Sequence, residues 1–299
     1  MHPPGETTRS QAPVLAVVAS LFSVTLGASL AKGLFPQVGP IGTTTLRLCL
    51  AAILLLVVMR SWRFRPDAAG WRAALVYGIV MAAMNMMFYL AIERIPLGIA
   101  IALEFTGPLT VAVLHSRHRR DLLWVACALI GLLLLIPRPA PGQAVALGGA
   151  AFALGAGVCW GAYILVGQKA GAALGAQGAA FGLMVAAILV LPVGMLLEPR
   201  LHPQAWLLYP ILPLLTTALA VAMLSSALPY TLEMYALRYI PARSFGILMS
   251  GEPAIGALMG LLLLGERLSV AQWLGIAAVI MASLGTTLGD RRTERPPPA

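Results

Sequence analysis

The amino-acid sequence predicts an all-α polytopic membrane protein with ten transmembrane helices. Hydrophobic residues make up 60% of its 299 positions and charged residues 10%, whereas about a quarter of a typical soluble domain is charged. So few charges cannot cover a soluble core, and the outside of the protein must therefore face lipid. Apolar runs such as 51–58 and 129–136 do not alternate with polar residues, which favours helices over a β-barrel.

Ten apolar stretches, bounded by charges, proline or glycine, are the candidate transmembrane helices. A hydrocarbon core about 30 Å thick requires about 20 residues per helix. The first stretch is too long for the apolar core of a signal peptide, and we expect it to be retained as a span. The fifth is short and the eighth is long. The stretches are 12–31, 38–59, 71–92, 96–114, 122–136, 145–167, 176–197, 208–236, 241–263 and 270–288.

The lysines and arginines are distributed unequally between the two sides of this bundle. The side that holds the N-terminus carries 14 of them, and the opposite side carries five. The positive-inside rule therefore predicts that both termini are cytoplasmic. The formal charge of +9 is explained by this orientation, and no nucleic-acid partner is expected, because the cations form no basic stripe interleaved with aromatic residues.

The two halves of the chain carry related motifs. AIERIP at 91–96 is followed by Pro108 twelve residues after its own proline, and ALRYIP at 236–241 is followed by Pro253 at the same separation. Five spans per half is an odd number, so related halves would enter the membrane from opposite sides, as in many transporters. Shared composition is the alternative explanation. The predicted units are an N-terminal tail (1–11), a first repeat (12–136), a linker (137–144), a second repeat (145–289) and a C-terminal tail (290–299).

Four longer segments are unusual combinations of residues: GASLAKGLFP (27–36), ALEFTGP (102–108), LGAGVCW (154–160) and LGERL (264–268). They resemble the drug/metabolite transporter superfamily of the EamA type, and within it the branch that exports threonine and homoserine. The resemblance covers about residues 27–287. It implies two inverted five-helix EamA repeats in a bacterial inner membrane and the export of small neutral amino acids. A multidrug or other metabolite exporter is the alternative, because this superfamily carries several substrate classes on one fold.

Three ionisable residues fall near the middle of predicted spans: Arg47, Glu104 and Glu252. Each costs roughly 2.5–3.5 kcal/mol at a helix centre unless it faces a cavity or a partner, so all three are functional candidates. Arg47 could bind a substrate carboxylate through bidentate hydrogen bonds, or it could form a static salt bridge to Glu104 or bond to a helix end. The sequence leaves both interpretations of Arg47 open.

The two carboxyls are the candidates for proton coupling, with Glu104 first and Glu252 second. A carboxyl at mid-membrane can exchange protons because desolvation favours its neutral form. Glu104 lies between Pro96 and Pro108, so its span is expected to be bent or unwound there. Glu252 directly precedes Pro253, which is expected to push its backbone out of the helical region.

Further polar residues share helix faces and could line a substrate path. Hydrogen bonding between helices is the alternative for each of them. Lys32 and Lys169 are expected to extend toward the membrane interface, and Glu93, Arg94, Glu266 and Arg267 to be solvated loop charges. The small-residue pairs Gly157/Gly161, Gly178/Gly182 and Gly256/Gly260 allow close helix approach, within the chain or in a dimer. The predicted substrate-binding set is Arg47, Asn85, Tyr89, Glu104, Trp160, Tyr163, Tyr230, Ser250 and Glu252, with Ser226 and Glu233 on the same helix face as Tyr230.

Other function classes fit the sequence less well. An intramembrane enzyme is not expected, because all aspartates and histidines fall in loops, tails or their edges. The sequence contains no phosphate-binding loop ending in GK[ST], which argues against transport driven directly by ATP hydrolysis. No cofactor or metal site is predicted. One arginine and two glutamates in unlike positions favour a carrier with a single site over a channel, although a channel-like facilitator stays an alternative. The expected partners are a small amino acid, protons and the lipid bilayer, and the oligomeric state is open.

Overall fold

A computed structural model describes residues 6–114, 121–135, 144–201, 211–240, 245 and 248–291 of the chain. The regular elements in these ranges are all helical, as expected for a polytopic membrane protein. Most of the predicted linker, the outer parts of both tails, Pro241 of the repeated motif and several counted cations lie outside the described residues. The helices are α1 (Glu6–Lys32), α2 (Phe35–Val58), α3 (Ala68–Ile92), α4 (Leu97–Glu104), α5 (Thr106–Leu114), α6 (Asp121–Leu135), α7 (Ala144–Leu174), α8 (Gln177–Leu197), α9 (Ile211–Ala222), α10 (Leu228–Tyr239), α11 (Glu252–Leu264) and α12 (Val270–Arg291).

Helix length and composition fit a bilayer. In the described part of the chain, six helical runs are long and apolar enough to cross it: α1, α2, α3, α7, α8 and the continuous run 212–239 that contains α9 and α10. Three shorter apolar runs lie at 97–111, 249–264 and 270–282. Large apolar side chains such as Leu133, Leu196 and Val270 are exposed on the outer surface. Apolar side chains are compatible with apolar lipid tails, and a helix can lie in lipid because it satisfies its own backbone hydrogen bonds.

Local breaks interrupt several helices. In α2, Gly39 adopts a φ of 67°, which suits glycine, and Pro40 follows it. The hydroxyls of Thr43, Thr44 and Thr45 donate to carbonyls four residues earlier, beginning with Gly39. Hydroxyl bonds of this kind often bend a helix, and Arg47 follows on the same helix.

The predicted span around Glu104 is also interrupted, since α4 ends at Glu104 and α5 begins at Thr106. The expectation that Pro253 pushes the backbone of Glu252 out of the helical region is wrong. Glu252 is helical, with φ −59° and ψ −43°. Pro253 lies in the first turn of α11, where a backbone N–H has no intrahelical acceptor. The proline is therefore tolerated there without a break in the helix.

Glycines bring the helices together inside the chain. A Cβ added to Gly107 of α5 would overlap the carbonyl of Gly157 in α7, and one added to Gly182 of α8 would overlap the ring of Tyr77 in α3. Gly256 of α11 lies equally close to Ile101 of α4. The predicted small-residue pairs therefore serve packing within the protein at these positions.

The expectation that Glu266 is a solvated loop charge is wrong. Its side chain is 14% exposed, and its Oε1 lies 2.5 Å from Lys32 Nζ at the end of α1. Its Oε2 accepts a hydrogen bond from the backbone N–H of Leu97 at 2.8 Å. Because α4 starts after Pro96 without a side-chain cap of its own, Glu266 supplies that cap from a distant loop.

Candidate functional site

A cavity of about 550 Å³, counted with its opening, lies between α1, α2, α3, α4, α7, α10 and α11. Its wall combines apolar and aromatic side chains with charged ones. The lining residues are Val24, Thr25, Ala28, Arg47, Met84, Asn85, Phe88, Tyr89, Ile101, Glu104, Trp160, Ser225, Tyr230, Glu233 and Glu252.

The guanidinium of Arg47 is held by neutral acceptors. Arg47 is 2% exposed, and its Nη1 donates to the carbonyl of Ser225 at 2.8 Å and to the hydroxyl of Ser226 at 2.8 Å. Its Nη2 donates to Asn85 Oδ1. In the described part of the chain, no carboxylate forms an ion pair with Arg47. The predicted salt bridge to Glu104 is therefore not formed, whereas a bond to a helix carbonyl is.

Neighbouring side chains fix the orientation of this group. Asn85 donates to the Met81 carbonyl at 2.8 Å, and its Oδ1 also accepts from the Tyr230 hydroxyl at 2.8 Å. The ring of Tyr89 lies 4.4 Å from the guanidinium carbon, in cation–π geometry. Arg47 Nε is buried without a hydrogen-bond partner among the described residues. Nε–H is therefore a guanidinium donor that nothing in this part of the chain satisfies, and it lies on the same edge as Nη2.

Three carboxyl side chains reach the same cavity. Glu104 and Glu252 are each 7% exposed, and neither has a hydrogen-bond or ion-pair partner among the described residues. Glu233 differs from them because its Oε2 accepts a hydrogen bond from the Tyr163 hydroxyl at 2.8 Å. Among the described residues, the cavity thus holds one cation and two acids without an ion-pair partner, which would be costly to bury without a ligand or a proton.

Seven of the nine predicted site residues line this cavity, whereas Tyr163 and Ser250 are buried and are not among its lining residues. Tyr163 stacks on Tyr77 with ring centres 5.1 Å apart and contacts the cavity through Glu233. Glu233 itself was absent from the predicted set, although its spacing from Ser226 and Tyr230 pointed to it. Ser225 gave no such signal, because its main contribution is a backbone carbonyl. Among the described residues, no group of three or more His, Cys, Asp or Glu could hold a metal ion.

The chain is similar to known transport proteins over most of its length. A sequence profile of the EamA-like transporter family matches residues 147–288. The threonine/homoserine exporter RhtA of Salmonella typhimurium strain LT2 is 47% identical over 291 residues, covering 97% of this chain and 96% of that protein. The protein of the same name from Escherichia coli strain K12 is 45% identical over 283 residues, or 95% and 94% of the two chains. The chain belongs to the EamA-like transporter family.

More distant proteins share the fold of this EamA-like transporter. The uncharacterized inner membrane transporter YedA of Escherichia coli strain K12 is 26% identical over 260 residues, covering 84% of this chain and 82% of that one. A solved crystal structure with 19% identity superposes with a TM-score of 0.64 and covers 94% of this chain and 99% of its own. The resemblance to the EamA type is confirmed, and these relatives are named as transporters and exporters, not as enzymes.

Proposed function

We propose that this EamA-like transporter exports small neutral amino acids of the threonine and homoserine class. The observation that carries the proposal is the charge arrangement of the cavity: a buried Arg47 without an ion-pair partner, and two unpaired carboxyls, Glu104 and Glu252, among the described residues. An amino-acid zwitterion presents both complementary charges at once. The RhtA relatives, named for threonine and homoserine export, support the same substrate class.

The α-carboxylate would bind the Nε–Nη2 edge of Arg47, where a buried donor has no partner in the described residues. Two parallel N–H bonds to a carboxylate give both strength and direction. Glu104 or Glu252 would receive the α-ammonium. A hydrophobic drug would leave all these charges desolvated, and a dicarboxylate would add to the negative excess.

The substrate hydroxyl would be read by Tyr89, which lines the cavity and whose own hydroxyl has no hydrogen-bond partner among the described residues. The other candidates are less available. The Tyr163 hydroxyl donates its hydrogen bond to Glu233, and Ser250 is not among the residues that line the cavity. A site that bonds a hydroxyl rejects an analogue without one, so threonine should outcompete valine.

The transport cycle would be proton-coupled alternating access. Glu104 is the leading coupling group and Glu252 the second, because both are buried in the cavity wall without a partner in the described part of the chain. The architecture proposed for this cycle is ten membrane spans in two inverted repeats, with both termini in the cytoplasm of a bacterial cell and the spans in its inner membrane. The helices of the structure overlap all ten apolar stretches, which supports this arrangement.

The test is threonine uptake into loaded vesicles, in competition with valine, N-acetylthreonine and a cationic dye. We expect threonine to be transported, counterflow to accelerate it, and N-acetylthreonine to compete poorly. Arg47→Gln should raise KM at least about tenfold, with Arg47→Lys in between, because lysine keeps the charge and loses the planar fork. Transport of the dye without threonine would favour a multidrug exporter, and flux without counterflow acceleration would favour a channel.

A further inference from the structure

The segment between α9 and α10 is a π-helix, Met223–Ala227, followed closely by Pro229. In an α-helix the carbonyl of residue 225 would accept the backbone N–H of residue 229. Proline has no backbone N–H, so this α-helical bond to Ser225 cannot form. In addition, the N–H of Leu228 donates to Met223, five residues back, instead of to Leu224. Two successive carbonyls, those of Leu224 and Ser225, are therefore released from the usual α-helical pattern.

Side chains from two other helices occupy the released carbonyls. Ser23 of α1 donates to the Leu224 carbonyl at 2.6 Å, and Arg47 of α2 donates through Nη1 to the Ser225 carbonyl at 2.8 Å. Gly27, one turn after Ser23, allows α1 to approach, since a Cβ there would lie 2.6 Å from the backbone nitrogen of Ser225. Buried carbonyls are costly when unpaired, so the π-helix and its two donors stabilise one another.

We propose that Pro229 is a positioning residue for substrate binding: by withholding one backbone N–H, it releases the carbonyl that holds Arg47 at the cavity. This inference rests on the proposed role of Arg47 as receptor of the substrate carboxylate. A carbonyl and hydroxyls orient the guanidinium while leaving its charge uncompensated, whereas a carboxylate partner would neutralise it. π-Helical turns are rare and frequently occur at functional sites.

The decisive variant is Pro229→Ala. The new N–H at position 229 would compete with Arg47 for the Ser225 carbonyl and favour a regular α-helix. We expect KM for threonine to rise about tenfold, the change that follows loss of one hydrogen bond to a charged group, with kcat within about twofold of wild type. Thermal stability should be equal or higher, because a proline has been removed from a helical run.

Pro192→Ala is the matched control. Pro192 also lies inside a long apolar helix, α8, but its side chain is exposed on the outer surface and it does not line the cavity. Its removal should leave KM and kcat unchanged. An equal rise of KM in both proline variants would overturn the proposal, because the effect would then not depend on the Ser225 carbonyl.

A second pair of variants applies if Pro229→Ala does not fold. Ser226→Ala removes the hydroxyl that accepts from Nη1 at 2.8 Å and leaves the backbone unchanged. It should raise KM with kcat retained, and Ser226→Thr, which keeps a hydroxyl, should restore KM. Wild-type KM in Ser226→Ala contradicts the idea that these acceptors position Arg47.

The two hypotheses can fail separately. If the wild-type protein neither binds nor transports threonine, the proposed function is wrong. The position of Arg47 is then compared in cryo-EM structures of wild type and Pro229→Ala without substrate. A regular α-helix across 223–229 with Nη1 withdrawn from Ser225 supports the positioning role, whereas an unchanged contact overturns it.

Discussion

At the scale of single residues, the site depends on where buried charges lack partners. Glu104 and Glu252 share a cavity with Arg47, yet they form no ion pair with it. A buried acid paired with a base would be a static structural element, and breaking the pair would be strongly destabilising. Unpaired acids are instead free to exchange a proton or to bind a cationic group, which is what a coupled carrier needs.

Glu104→Gln should separate these two roles. The amide cannot release a proton, so proton-driven threonine transport is expected to be lost, while substrate counterflow, which needs no net proton movement, is retained. The measurement is uptake into proteoliposomes with and without an imposed pH gradient. Glu93→Gln is the control, because Glu93 lies in a loop with its side chain 38% exposed. Full proton-driven uptake by Glu104→Gln would remove this residue from the coupling role.

At the scale of helices, a distant carboxylate completes the start of α4. Glu266 binds Lys32 and caps the backbone N–H of Leu97, so three separate segments meet at one side chain. A carboxylate at a helix N-terminus also interacts favourably with the helix dipole. Sequence reasoning placed Glu266 among solvated loop charges because nothing in the chain shows that the turn after α11 folds onto α4.

Neutralising this carboxylate should weaken the fold. Glu266→Gln is expected to cost about 1 kcal/mol of stability, since the ion pair is lost and the cap is weakened. Thermal unfolding in detergent measures the change. The neighbouring pair of Glu93 and Arg94, with an N–O distance of 3.0 Å, is more exposed, so Glu93→Gln should shift the midpoint little. Equal shifts in the two variants would show that Glu266 is no more than a surface charge.

Close contact between α5 and α7 depends on Gly107. A methyl group there would meet the carbonyl of Gly157, a backbone atom that cannot move aside cheaply. Gly107→Ala should therefore destabilise the protein by about 1–3 kcal/mol, despite the better helix propensity of alanine. Gly148→Ala in α7 is the control, because nothing lies within 4 Å of its added Cβ. A stable Gly107→Ala protein would mean that this contact is not tight in solution.

At the scale of the whole molecule, the parts that follow from hydropathy were predictable from the sequence. Helices overlap each apolar stretch, and seven predicted residues meet at one cavity, because charge in lipid is tolerated only in such places. The contribution of Ser225 was not predictable, since a backbone carbonyl has no side-chain signature. The role of Pro229 follows from its sequence position only once the facing arginine is known.

The orientation of the whole bundle can be tested by cysteine labelling. In a background without Cys49, Cys127 and Cys159, a cysteine at Thr8 or Glu294 should not react with an impermeant reagent in intact cells. A cysteine at Arg138, on the side predicted to face outward, should react. The expectation follows from the distribution of 14 lysines and arginines on one side against five on the other. Labelling at Thr8 in intact cells would show that the N-terminus faces outward and that the predicted orientation is wrong.

The uncharged hydrogen-bond acceptors around Arg47 also bear on how the substrate of such a transporter could change in evolution. In the described residues, the arginine binds a carbonyl, a hydroxyl and an amide and pairs with no acid, so replacing it would strand no opposite charge. Removal of a buried cation is usually destabilising because its ion-pair partner is left as an uncompensated buried charge. Here a descendant with a methionine or glutamine at position 47 could still fold, and a single substitution would open the cavity to molecules without a carboxylate.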